Sequence, residues 1–163
     1  MDDHVIDTNV LLVASAAHPF SPFSDSHVPP EHRETVLDWL VAFRGDSGRK
    51  LVLDMTMEIY QEYRNKLGDQ DLGLQVIHER MADAEWVEIS LDANGHGVVP
   101  AALSSLDRSD RKLAAAALAA PRPTTIVNCA DSDWLDTEEG CNAAGVRVQH
   151  LLEAWLRSTH AAR

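Results

Sequence analysis

The segment Val5-Ile6-Asp7-Thr8-Asn9, followed at once by Val10-Leu11-Leu12-Val13, constrains this chain more than any other. Two β-branched apolar residues suit a short buried strand, a carboxylate closes it, and the apolar residues from Val10 onward continue as a helix. The pattern recurs far along the chain, where Thr125-Ile126-Val127-Asn128 runs into Asp131-Ser132-Asp133. In an open parallel sheet, ligands bind outside the carboxyl ends of the strands. Acids at two such ends therefore meet in space while lying far apart in sequence, and pooled carboxylates suit a divalent cation.

Hydrophobic periodicity extends the reading. Strands are expected over residues 5–6, 51–53, 86–89, 125–128 and 146–148, and helices over 10–17, 33–43, 56–67, 72–81, 110–120, 137–144 and 150–156. Residues 18–31, with four prolines, and residues 92–106, with Gly95, Gly97 and Pro100, read as long loops. Strands alternating with helices argue for βαβ units. The expected fold is α/β: a three-layer α/β/α sandwich around a mainly parallel sheet of about five strands, in one domain over residues 1–163.

Each acid also has a structural role open to it. Asp7 is suited to capping the following helix, although Thr8 would serve equally. Glu62 sits four residues before Lys66, a stabilising helical pair, yet Glu58 one turn earlier would repel it. Asp54 suits an N-cap. Ser104 to Asp107 matches a capping box, and Asp107 and Asp110 favour the dipole of an Ala-rich helix. A cap accounts for one of Asp131 and Asp133, not both.

Bulk properties exclude several classes. The 163 residues carry a formal net charge of −12, which repels nucleic acid at long range unless cations recruit the phosphates. Cys129 and Cys141 are too few for a disulfide framework, and Met1-Asp2-Asp3-His4 has the wrong charge for a secretion signal, so a cytoplasmic protein is expected. No apolar run approaches the ~20 residues of a membrane span. The scattered histidines offer no zinc spacing, and no glycine-rich phosphate loop or nucleophile elbow is present. Asn9 occupies the position where a haloacid-dehalogenase-like phosphatase needs its second acid, and the acidic pair of a receiver domain is missing after the first strand.

Four segments in order carry a resemblance: V-I-D-T-N-V-L-L at residues 5–12, I-Y-Q-E-Y-R-N-K-L at 59–67, D-R-S-D-R-K-L-A-A-A-A-L at 107–118, and T-I-V-N-C-A-D-S-D-W at 125–134. Together they resemble a PIN domain, a family of metal-dependent nucleases that includes many bacterial ribonucleases. The similarity spans residues 5–148. It implies catalytic acids at Asp7, Glu62, Asp110 and Asp131, with Asp133 as a further metal ligand and Asn9 as a polar support. The chain departs from the family pattern at Cys129 and Ala130.

The resemblance implies hydrolysis of phosphodiester bonds, RNA before DNA, giving a 5′-phosphate and a 3′-hydroxyl. Oxygen ligands suit one or two Mg²⁺ or Mn²⁺ ions. On this reading Asp7, Asp110 and Asp131 hold the metal, while Glu62 holds a water on it or a second ion. Arg64, Lys66, Arg108, Arg111 and Lys112 are candidates for gripping the substrate backbone, or else line a solvated helix face. The resemblance also admits a degenerate scaffold that binds a protein, a toxin held by an antitoxin-type partner, and a homodimer. No membrane association is expected.

Overall fold

A computed structural model describes residues 2–163. Its strands are β1 (Asp3–Ile6), β2 (Val52–Asp54), β3 (Glu85–Val87), β4 (Thr124–Asn128) and β5 (Arg147–His150). Its α-helices are α1 (Thr8–Ala17), α2 (Pro30–Arg44), α3 (Glu58–Lys66), α4 (Leu72–Arg80), α5 (Arg111–Ala119), α6 (Asp133–Asp136), α7 (Glu138–Ala144) and α8 (Glu153–Ala161). Short 3₁₀ turns cover Met81–Asp83, Ala101–Leu103 and Arg108–Asp110. Among the described residues, no helix is long and apolar enough to cross a membrane.

All strand pairs are parallel, which requires the helical crossovers that the sequence supplies. β4 lies between β1 and β5, with Ile6 opposite Val127 and Asn128 opposite His150. Every residue of β1 and β4 is buried, as expected where helices cover both faces. Val5, Ile6, Ile126 and Val127 form the centre of the core with Val10 and Leu11 of α1 and Leu113 and Ala114 of α5. Each such aliphatic side chain contributes ~1.5–3 kcal/mol by leaving water.

The strands do not form one continuous sheet. β2 pairs with β3 in a separate two-stranded sheet, and an isolated parallel bridge from His4 to Leu51 joins it to β1. His4 N–H donates to the Lys50 carbonyl at 2.9 Å. Beyond that bridge, the Ile6 carbonyl accepts the Tyr63 hydroxyl at 2.5 Å. A side chain from α3 thus takes the acceptor next along this edge of β1.

Several boundaries differ from the sequence expectation. α2 begins at Pro30, a residue suited to a first helical turn because its missing N–H has no partner there. Ser104 belongs to no capping box. It ends the 3₁₀ turn at Ala101–Leu103, while Asp107 accepts from Ser109 N–H and caps the next turn. The last strand and helix lie further along than expected, at Arg147–His150 and Glu153–Ala161. α6, one turn long, carried no periodic signal.

Candidate metal centre

The two acidic strand ends meet. β1 and β4 are neighbours, and Asp7 N–H extends their ladder by donating to the Val127 carbonyl at 3.0 Å. Asp7 emerges where β1 turns into α1. Asp131 follows the loop after β4, and Asp110 lies in the 3₁₀ turn that leads into α5. One carboxylate oxygen from each of Asp7, Asp110 and Asp131 falls within 4.8 Å of the other two. Asp7 is 5% exposed and Asp110 9%, so their charges have little water to screen them.

Electrostatics follow from that crowding. Burial, then the negative charge of Asp7 and Asp131, pushes the Asp110 carboxyl up to about 8. Burial and the Asp7 charge push Asp131 up to about 6, against the opposing hydrogen bond from Asp133 N–H. Burial raises Asp7 as well, countered by donors from Trp134 and Asn9. Two buried acids and a half-buried third at this spacing share protons at neutral pH in the absence of a cation.

Each oxygen of Asp7 accepts one protein hydrogen bond. Trp134 Nε1–H donates to Oδ2 at 2.8 Å, and Asn9 N–H donates to Oδ1 at 3.1 Å. A carboxylate oxygen has two acceptor directions, so each retains one for a ligand. Trp134 is fully buried on α6, where its indole is both packing and an orienting donor.

Asn9 acts on the opposite loop. Its Oδ1 accepts from Cys129 N–H at 3.1 Å and Ala130 N–H at 2.9 Å, and its Nδ2 donates to Asn128 Oδ1 at 3.0 Å. Asn128, wholly buried, returns Nδ2–H to the Asp131 carbonyl, while its Oδ1 accepts from Asp131 N–H. These amides hold the loop that carries Asp131. They do so through the backbone N–H groups of residues 129 and 130, and the Cys129 thiol adds a third donor to Asn9 Oδ1 at 2.9 Å, so this unusual side chain is part of the clamp.

The remaining candidates lie elsewhere. Glu62 does not pair with Lys66. It accepts from the Thr8 hydroxyl and from Lys112 Nζ, the latter at 3.0 Å, and stands beside the three-acid cluster rather than in it. Asp133 is exposed and outside the cluster; its N–H holds Asp131 Oδ1 at 2.9 Å. Asp54 caps α3, accepting from Glu58 N–H and Ile59 N–H at 2.9 Å each. Arg64 pairs with Asp69 at 3.0 Å, and Arg111 is spent on the carbonyls of Leu106 and Ser104. The Arg108 side chain makes no hydrogen bond or ion pair with the described residues. Thr8, Asn128 and Lys112 join the site through contacts that no local pattern announces.

The donor set is all carboxylate oxygen. That chemistry fits a hard cation such as Mg²⁺ or Mn²⁺ and lacks the nitrogen and sulfur ligands that favour zinc. No family model matches this chain, and no curated protein or solved structure matches it.

Proposed function

We propose that this chain is a PIN-like, Mg²⁺- or Mn²⁺-dependent nuclease that hydrolyses phosphodiester bonds, with RNA as its preferred substrate. The convergence of Asp7, Asp110 and Asp131 oxygens within 4.8 Å carries the reading. The parallel pairings and the His4–Leu51 bridge support the five-strand, three-layer arrangement that goes with it.

A bound dication would supply Lewis acidity toward phosphoryl oxygens and lower the pKa of an attacking water. Asp7, Asp110 and Asp131 would hold it, and their elevated proton affinity marks the charge it would neutralise. Trp134 and the Asn9 backbone aim Asp7, and the Asn9–Asn128 clamp positions Asp131. Glu62, held by Thr8 and Lys112, is the acid beside the cluster suited to orient a water.

Purified protein should cleave an end-labelled single-stranded RNA with Mn²⁺, and Asp7→Asn should abolish the cleavage. Equal cleavage by the variant would assign the activity to a contaminant. Millimolar Mn²⁺ should also raise the melting midpoint of the wild type, because it binds the folded state. A wild type that neither shifts nor cleaves would leave the protein-binding scaffold as the better reading.

A further inference from the structure

The loop after β3 runs back onto the start of α5. A Leu91–Gly97 bridge closes it, Asp92 N–H donates to the His96 carbonyl at 2.8 Å, and Asp92 Oδ1 accepts from Asn94 and His96 N–H. Gly97 presses directly on the helix: a Cβ there would lie 2.8 Å from the Lys112 backbone. Between loop and helix lies a cleft of about 300 Å³, lined by Glu58, Asn94, His96, Arg108, Ser109 and Lys112.

The 3₁₀ turn and the start of α5 sort charge by side. Arg108, in the turn, and Lys112, in the helix, both line the cleft. Asp110, two residues from each, turns the other way, into the metal cluster. Lys112 belongs to both places, lining the cleft while its Nζ bonds Glu62 at the cluster's edge. The Arg108 side chain is exposed and has no protein partner among the described residues.

From this arrangement we infer that the loop 91–97/α5 cleft seats the sugar-phosphate backbone of a single nucleic-acid strand, with Arg108 as its principal phosphate contact. The inference rests on the nuclease reading for the neighbouring acids. A molecule with net charge −12 repels a polyanion overall, so attraction must come from a local cationic feature next to the reacting centre. The cleft is at the small end of ligand-pocket sizes, too small to enclose a duplex. Its lining has no Phe, Tyr or Trp, so Arg108 and Lys112, rather than an aromatic stacking platform, dominate what it offers a strand.

The test is equilibrium binding of a fluorescein-labelled twelve-nucleotide oligouridylate in EDTA, across a salt series, with the Mn²⁺ melting shift measured separately on EDTA-free portions of the same preparations. Arg108→Ala should bind several-fold more weakly and flatten the slope of log K against log[salt] by ~0.7, the value of one single-strand phosphate contact. Arg108→Lys should keep the slope. Both variants should keep the wild-type Mn²⁺ shift. No measurable binding by wild type, or the same affinity and slope in wild type and Arg108→Ala, overturns the cleft as the backbone seat. An Arg108 effect in a protein with no Mn²⁺ shift and no cleavage upholds the cleft and sinks the nuclease reading instead.

Discussion

Replacing Asp110 by Asn should make the metal-free protein more stable, and increasingly so as pH rises. The folded carboxyl is pushed up to about 8 from an ordinary 3.8 by burial and by Asp7 and Asp131. Between those values the folded state holds a proton that the unfolded state has released, so stability falls with rising pH throughout that window. Taken whole, about four pH units at ~1.4 kcal/mol each would give ~6 kcal/mol. Titration is shared among three coupled acids, and Asp110 keeps some contact with water, which reduces the expected effect to ~1–3 kcal/mol. The asparagine has no charge to lose. Urea denaturation in EDTA at pH 5 and pH 8.5 would therefore show the advantage of Asp110→Asn over wild type widening by that amount. Added Mn²⁺ should close the gap by stabilising the wild type alone. A pH-independent difference, or a variant less stable at pH 8.5, would refute the claim that these acids repel one another in one pocket.

Trp134→Phe removes the donor to Asp7 Oδ2 while keeping most of the packed ring. Apparent Mn²⁺ affinity, read from melting titrations, should fall ~10-fold or more, as for other residues that orient a ligand. His4 is buried between Trp39 and Phe43, and burial together with the Arg49 charge lowers its pKa to about 4. Its folded form stays neutral while the unfolded chain takes up a proton near 6.5, so stability should fall as pH drops from 6.5 to 4. His4→Gln should flatten that acid limb in a melting series, and an unchanged limb would count against the burial argument.

The acidic strand ends were legible because short apolar runs closed by Asp have one natural place in an α/β sheet. Asp7 and Asp131 meet as that logic requires, and Asp110 joins them through an Ala-rich helix whose small side chains are buried beside the sheet. What supports those acids was not legible. The Trp134 indole reaches Asp7 across 127 positions, and Asn9 reaches Ala130 across 121. Such contacts depend on which rotamer points into a shared pocket, and sequence spacing does not encode that. Local rules also misled at Glu62. Its helical neighbour Lys66 offers a few tenths of a kcal/mol, while the half-buried Lys112 offers a pairing less screened by water. At the break between the two sheets, the Tyr63 hydroxyl on the Ile6 carbonyl is a contact of the same kind, across 57 positions.

The pairing of β1 with β4 has a consequence for biogenesis. Residues 3–6 bond to residues 124–127, so the first strand made waits for most of the chain before its central partner exists. A ribosome that has delivered Asp7 and Glu62 has produced a first strand lacking its main neighbour, and unpaired edges of that kind invite intermolecular association. Translation arrested before residue 124 should therefore yield insoluble fragments, and the acids of the pocket come together only late in synthesis.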